Sequence, residues 1–150
     1  MNEPPAIALR PNVSFLTLGV EDLGRARGVY RGMGLLEHPS SSDHVAFFEF
    51  GGQLLALFPR AALAADIGLP PGRPRDGVTT SFSQNVHEQA HIDELLARAE
   101  AHGGTILKPA SAPAWGGIRG YFADPDGFVW EIAWNPRTTI DEAGRVFLGG

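Results

Sequence analysis

The stretch APAWGGIRGYFADPDGFVWEIAWNP, residues 112–136, contains two strand-like runs joined by the tetrapeptide DPDG at residues 124–127. Proline fixes φ and glycine tolerates positive φ, so this tetrapeptide predicts a tight turn. The runs on either side, residues 120–123 and 128–134, therefore predict a β-hairpin. Side chains alternate between the two faces of a strand, which places Glu131 on the face opposite to Trp130. A single carboxylate in an otherwise apolar strand marks its face as the candidate site.

An earlier segment, HVAFFEFGGQLLALFP at residues 44–59, repeats the order strand, glycine-containing turn, strand, proline. Aligning Gly52 with Gly127 pairs Ala56 with Glu131. Each hairpin also follows a strand and an amphipathic helix, and aligning Val20 with Val86 pairs the first strand of each half. The sequence therefore predicts two copies of one module, each with a strand, then a helix, then three strands.

We interpret the chain as one domain made of two modules and a tail. Module one covers about residues 12–60, a Pro, Gly and Arg rich linker covers 61–77, and module two covers about 78–136. The linker opens with a possible short helix. The tail at residues 137–150 can form a small hairpin around Gly144, and its apolar residues could cover an interface between subunits.

The composition argues against several classes of protein. A chain of 150 residues is long enough for one buried core, and with no cysteine it can form neither a disulfide nor a Cys-based zinc site. The net charge of −5 argues against a nucleic-acid-binding surface. No apolar run is as long as a membrane helix, and the N-terminal residues lack the apolar core of a signal peptide. We expect a cytoplasmic protein without nucleic-acid or membrane partners.

Three segments together, DLGRARGVYRGMGL (22–35), AHGGTILKPA (101–110) and GYFADPDGFVWEIAWNP (120–136), resemble the vicinal oxygen chelate superfamily of glyoxalases, bleomycin-resistance proteins and extradiol dioxygenases. The resemblance implies an α+β fold of two tandem βαβββ modules. Their mixed sheets would form a curved half-barrel with helices outside and a ligand cavity inside. It also implies a homodimer.

Metalloenzymes of this superfamily take their metal ligands from four positions, two in each module. The alignments place these positions at Phe15, Ala56, Ser81 and Glu131, of which only Glu131 is a strong ligand for Zn²⁺, Ni²⁺, Fe²⁺ or Mn²⁺. We therefore predict no complete metal site and no cofactor. A divalent metal would need most of its ligands from water, the substrate or histidines.

The sequence HEQAH at residues 87–91 matches the zincin pattern HExxH. In zincins both histidines lie on one face of an active-site helix, and the glutamate is the base. Here the pattern stands at the start of a surface helix, and the acids downstream belong to that same helix. We interpret it as a polar helix start, where Glu88 is favoured by the helix dipole.

Alternation along the strands predicts a cavity with an aromatic half and a polar half, which suits a small amphipathic or aromatic organic molecule. The predicted binding residues are Phe15, His44, Phe48, Ala56, Ser81, Trp115, Arg119 and Tyr121. Three of them have simpler explanations. His44 can be an exposed residue at the start of a strand, Arg119 can pair with a surface acid, and Trp115 can be ordinary loop packing.

Two functions remain open. The first is a binding protein that sequesters a planar or aromatic compound, as bleomycin-resistance members of the superfamily do. The second is a glyoxalase-type lyase or isomerase in which Glu131 is the general base, or the only protein ligand of a metal, and Arg119 stabilises an oxyanion. Glu131 can also simply hydrogen bond to Ser81 or Tyr121 without any chemistry.

Overall fold

A computed structural model describes residues 9, 11, 13–72, 77–78, 80–114 and 116–149. The elements in chain order are β1 (Phe15–Val20), α1 (Leu23–Gly32), β2 (Ala46–Phe50), β3 (Gln53–Pro59), α2 (Arg60–Ile67), β4 (Phe82–Asn85), α3 (Ala90–Ala101), β5 (Thr105–Ser111), β6 (Ile118–Ala123), β7 (Val129–Trp134), β8 (Thr138–Ile140) and β9 (Val146–Leu148). No helix in these ranges has the length and apolar character needed to cross a membrane.

The strands form two open mixed sheets and a terminal hairpin. The first sheet has the order β1-β3-β2, the second has the order β4-β7-β6-β5, and β8 pairs with β9. In each module the first strand runs parallel to the last strand, and the last two strands form an antiparallel hairpin. The predicted α+β fold with a duplicated module is therefore confirmed.

The register shows how closely the two modules correspond. Thr17 lies opposite Ala56 in the first sheet, and Ser83 lies opposite Glu131 in the second. The two sequence alignments that pair Val20 with Val86 and Gly52 with Gly127 also pair these four residues. The first and last strands of each module thus pair in the same register in both halves of the chain.

The observed elements depart from the predicted modules in one place. Where module one should have a strand after its helix, the described chain forms only an isolated bridge between Glu37 and Phe48. The short helix predicted at the start of the linker is α2, which follows β3 without a break. The predicted terminal hairpin is present as β8 and β9, with Gly144 in its turn at positive φ.

Each long helix covers one face of its sheet. Asp22 caps α1 by accepting a hydrogen bond from the Arg25 backbone N–H at 2.8 Å, a role that aspartate favours at the start of a helix. Helix α3 buries Ile92, Leu96 and Ala99 against the second sheet. Gly120 of β6 lies directly beneath it, and a Cβ atom there would stand 2.7 Å from Leu96 Cδ1. The glycine thus permits the close approach of helix and sheet.

One apolar core joins the two modules. Trp130 of β7 stands at its centre, with ring centroids of Tyr30 at 6.1 Å and Phe50 at 6.0 Å from the first module. Phe82 and Phe122 of the second module contact the same indole. Aromatic contacts of this kind add to the free energy gained from burying their area. The modules therefore share one core instead of having one each.

The DPDG turn provides a polar connection between the modules, which no local sequence pattern indicates. Asp124 and Asp126 are only 4% and 8% exposed. Asp124 accepts a hydrogen bond from the Tyr30 hydroxyl at 2.6 Å, and the Asp126 carboxylate accepts one from the Glu21 backbone N–H at 2.9 Å. Burial raises the pKa of Asp124, although its hydrogen bonds oppose the shift. Buried carboxylates are stable in proteins only when paired in this way.

Candidate functional site

Each sheet has a face turned away from its long helix, and we call these the open faces. In the second module the open face bears Arg119, Tyr121, Glu131 and Ser83, while Trp130 and Ile132 point to the core. In the first module it bears Phe15, Thr17 and Ala56. Phe15 is 51% exposed. The alternation predicted for β7 therefore holds, and Glu131 does lie on the face opposite to the core.

Glu131 is held by two hydroxyl groups, one on each neighbouring strand. The Tyr121 hydroxyl donates to Oε2 at 2.7 Å, and the Ser83 hydroxyl donates to Oε1 at 2.9 Å. The hydrogen bond to Glu131 raises the pKa of Tyr121, and partial burial and the carboxylate charge act in the same direction. Tyr121 therefore stays a neutral donor at physiological pH, and the carboxylate has a fixed orientation.

Arg119 lies next to this pair. Its guanidinium carbon stands 5.8 Å from the centre of the Tyr121 ring, and its Nη1 donates to Ser111 Oγ at 2.7 Å. The cation is thus placed on the open face by stacking on Tyr121 and by a hydrogen bond to β5. Among the residues that the structure describes, no acid forms an ion pair with Arg119, so the alternative of a surface ion pair is not supported there.

The register corrects two of the predicted partners. Phe15 lies opposite Leu54, and Thr17 is the residue opposite Ala56. Ser81 precedes β4, and the serine opposite Glu131 is Ser83. The two sequence alignments were right. The residues predicted on the first strand of each module, Phe15 and Ser81, lie two positions before the residues that face Ala56 and Glu131. Side chains directly opposite each other on parallel strands are the ones that can share a ligand.

The prediction that Phe48 lines the cavity is wrong. Phe48 is fully buried and packs on Tyr30 in the core, with ring centroids 6.3 Å apart. The residue opposite Ala56 is Phe47, whose ring meets that of Phe15 edge-on at 6.0 Å. The sequence contains a feature that predicts this register of Phe47 with Ala56. A two-glycine turn favours a two-residue hairpin loop, which fixes Phe47 opposite Ala56.

Two other predicted site residues do not join this group. His44 is an exposed residue before β2, and its backbone N–H donates to the Ser42 hydroxyl at 3.1 Å. This matches the simpler explanation of an exposed residue at the start of a strand. Trp115 lies outside the described residues.

The residues at the four central positions do not fit a catalytic metal ion. Thr17, Ala56, Ser83 and Glu131 offer two neutral hydroxyls, a methyl group and one carboxylate, and both carboxylate oxygens already accept hydrogen bonds. Within the described ranges, no three histidine or acidic side chains are grouped so that they could hold a metal. The register changes two residues of the predicted set but leaves it with a single strong ligand.

The HEQAH segment does not have the zincin geometry. Helix α3 begins at Ala90, so His87 lies before it and His91 lies within it. His91 instead stands 3.8 Å from the carboxylate of Glu88, one turn earlier. The two histidines are therefore not presented together by one helix face.

A cavity of about 600 Å³ lies where the two modules meet. Thr17 of β1 and Val129 of β7 both line it, so the open faces of the two modules reach the same space. Glu131 stands two residues further along β7 on the same face. Phe82, Phe128 and the DPDG turn form much of the remaining wall. The cavity combines apolar walls with a few polar groups, as small-molecule sites do.

Comparison with known proteins connects this arrangement to a family. The model of the Glyoxalase/Bleomycin resistance protein/Dioxygenase superfamily matches residues 12–132. No curated protein matches the sequence.

Solved structures agree with the family match. A glyoxalase-related enzyme from Fulvimarina pelagi is 34% identical, with a TM-score of 0.86, covering 94% of this chain and 100% of that one. A glyoxalase/bleomycin resistance protein/dioxygenase from Nocardioides is 25% identical, with a TM-score of 0.69 and 86% of each chain covered. Lactoylglutathione lyase from Agrobacterium tumefaciens is also 25% identical, with a TM-score of 0.61, covering 85% of this chain and 96% of that one. The chain therefore belongs to the glyoxalase, bleomycin-resistance and dioxygenase superfamily.

Proposed function

We propose that this protein binds a small amphipathic or aromatic organic molecule on its open faces, without a catalytic metal. The observation that carries the proposal is the pair of hydrogen bonds that fixes both oxygens of Glu131. Each oxygen keeps a lone pair that can accept a hydrogen bond from a ligand. The Phe15 and Phe47 rings supply an apolar surface in the other module.

The same hydrogen bonds favour binding over proton abstraction. Hydrogen bonds to an ionised acceptor are stronger than those to a neutral one. Taking a proton from a substrate would neutralise the carboxylate and so weaken the hydrogen bonds that Tyr121 and Ser83 donate to it. Glu131 is thus better suited to orient a ligand through a fixed negative charge than to act as a general base.

A second candidate is a lyase or isomerase of the glyoxalase type, with Glu131 as general base or as the only protein ligand of a metal. Two observations favour it. Arg119 places a cation next to Tyr121, the donor to the carboxylate, and on the same open face it can stabilise an oxyanion. One structural relative at 25% identity is a lactoylglutathione lyase.

We also propose that the protein forms a homodimer through its terminal hairpin. Phe147 and Leu148 of β9 are 54% and 84% exposed in the single chain, and exposed apolar side chains that lie together favour an interface. Sedimentation of the wild type and of Leu148→Ser tests this proposal. A monomeric wild type would contradict it.

Thermal-shift screening against phenols and uncharged 2-oxo compounds tests the binding proposal. We expect ligands that stabilise the wild type and Glu100→Gln, an exposed control on α3, but not Glu131→Gln or Tyr121→Phe. Ligands that stabilise all four proteins equally would place the site elsewhere and contradict the proposal.

Elemental analysis of protein purified without chelator separates the binding protein from the metal-dependent form of the second candidate. The binding proposal predicts no stoichiometric metal in the wild type, even after incubation with Zn²⁺, Ni²⁺ or Mn²⁺. Stoichiometric metal that is lost in Glu131→Gln would favour the enzyme.

A further inference from the structure

A second cleft, of about 820 Å³, lies along the free edge of β4. We call it the edge cleft. It is bounded by the end of β4, the first half of α3, the turn between β2 and β3, and the β8–β9 hairpin. Of the group around Glu131 only Ser83 borders it, because Tyr121, Arg119 and Glu131 itself lie elsewhere. The proposed function does not use this cleft.

The internal duplication supplies a filled counterpart of the edge cleft. In the first module, the junction between β1 and α1 is occupied by Asp126 from the DPDG turn. Its Oδ1 accepts a hydrogen bond from the Glu21 backbone N–H at 2.9 Å and stands 3.6 Å from Arg25 and 3.3 Å from Arg60. The first junction thus holds a carboxylate that is bound by a backbone N–H group and by cations.

The second junction has counterparts of the Glu21 N–H group and of Arg25, has Asn135 at the position of Arg60, and lacks the carboxylate. The alignment that pairs Val20 with Val86 places His87 at the position of Glu21 and His91 at the position of Arg25. The alignment that pairs Gly52 with Gly127 places Gly51 at the position of Asp126. No hydrogen bond or ion pair within the described part of the chain joins residues 49–52 to residues 83–98. A glycine therefore leaves open the space that an aspartate fills in the first module.

The walls of the cleft indicate what can occupy it. Arg98 borders it, and no ion pair engages its guanidinium among the residues that the structure describes. Leu35, Phe50 and Leu95 form an apolar wall beside it. Glu49 and Glu94 also border the cleft, and their charge disfavours a ligand with a second negative group.

We propose that the edge cleft is a second binding site, for a small amphipathic molecule with one carboxylate. The carboxylate takes the place that Asp126 has in the first module and pairs with His91 and Arg98. The apolar body packs against Leu35, Phe50 and Leu95. The site is separate from the one proposed on the open faces.

The test uses 3-phenylpropionate as the probe and 3-phenylpropanamide as its uncharged counterpart, followed through backbone amide shifts of the labelled protein. The propionate is expected to shift residues 49–52 and 84–98, and the amide is not. Replacing Arg98 by Gln should weaken binding about tenfold, as expected for a hydrogen bond to a charged group. His38→Gln, a histidine outside the cleft, should leave the affinity unchanged.

Gly51→Asp is the sharpest variant, because it supplies the missing carboxylate from the chain itself and should abolish probe binding. Gly51 has a φ of 64°, which Asp and Asn both tolerate better than other residues, so Gly51→Asn is the matched control and should still bind. Equal binding of acid and amide, shifts confined to the open faces, or undiminished binding by folded Gly51→Asp would each overturn the proposal. The Glu131→Gln variant should bind the probe normally, which keeps this test independent of the proposed function.

Discussion

At the scale of single residues, the hydrogen bond between Tyr121 and Glu131 makes a measurable prediction. The carboxylate raises the pKa of Tyr121 above its ordinary value of 10.0, because ionisation would lose the hydrogen bond and place two negative charges together. We expect Glu131→Gln to lower this pKa. Phenolate absorbance measures it cleanly, since the only other tyrosine, Tyr30, is buried.

The control for this titration is Ser83→Ala, which removes the other donor but keeps the carboxylate. Tyr121 should keep its raised pKa in this variant. An unchanged pKa in Glu131→Gln would mean that the hydrogen bond does not persist in solution.

Asp124 makes a prediction about pH and stability. Burial raises its pKa in the folded protein above the ordinary 3.8, so between these two values the folded protein holds a proton that the unfolded chain has released. The proton therefore adds to the free energy of unfolding. This contribution is complete below the pKa of Asp124 in the unfolded chain, and it is lost as the pH rises through the pKa of Asp124 in the folded protein. Asp124→Asn does not titrate. The free energy of unfolding of the wild type, minus that of Asp124→Asn, should therefore fall with rising pH.

Urea unfolding of both proteins from about pH 3 to about pH 7 measures this difference. Other titrating groups contribute to both proteins and largely cancel in the difference. A difference that increases with pH would show that the hydrogen bonds from Tyr30 and the backbone outweigh burial at Asp124.

At the scale of elements, the packing of α3 on β6 depends on Gly120. A methyl group there would stand 2.7 Å from Leu96 Cδ1 and 3.0 Å from the Lys108 carbonyl oxygen, and backbone atoms cannot easily move away. We expect Gly120→Ala to lower the free energy of unfolding by about 1–3 kcal/mol through overpacking. Thermal or urea unfolding measures the change.

Gly28 is the matched control within α1. It is exposed, and apart from its own helix backbone no atom of the described residues lies within 4 Å of the place where its Cβ would stand. Gly28→Ala should raise the free energy of unfolding by about 0.5–1 kcal/mol, because alanine loses less backbone entropy in a helix. If both variants shifted stability in the same direction, the close contact of α3 with β6 would not be the cause.

At the scale of the whole molecule, the shared core and the buried Asp126 predict that the two modules unfold together. Asp126→Ala removes the acceptor of the Glu21 N–H and the partner of Arg25 and Arg60. The Arg25 side chain is 46% exposed and can be hydrated, so we expect the cost of a lost hydrogen bond to a charged group, about 2 kcal/mol. Amide exchange should show the same loss of protection in β3 and in β7, although Asp126 belongs to only one module.

Asp141 provides the contrast for this experiment. Its carboxylate accepts hydrogen bonds from the Ala143 and Arg145 backbone N–H groups and from the Arg145 side chain, all within the terminal hairpin. Asp141→Ala should speed exchange only in β8 and β9. Unequal effects of Asp126→Ala on β3 and β7 would mean that the modules unfold separately.

Much of the fold was predictable because its signals are local. The DPDG and double-glycine turns, the Asp22 cap and the alternation along β7 each depend on residues close together in the chain. The duplication was also visible, since the same local signals recur in the same order. These signals placed Glu131 and Tyr121 on one face of a hairpin, and the structure has them hydrogen bonded there.

The sequence by itself determined most of the elements, their order in two modules and the face on which Glu131 lies. Only the tertiary structure decided that Ser83 is its partner, that Phe47 and not Phe48 faces outward, that Asp124 and Asp126 are buried, and that a cleft remains at the edge of β4. The register between β4 and β7 joins residues 48 positions apart, and the DPDG turn meets residues of the other module. Such contacts depend on how whole sheets pack, and no local pattern of turns and alternation specifies them.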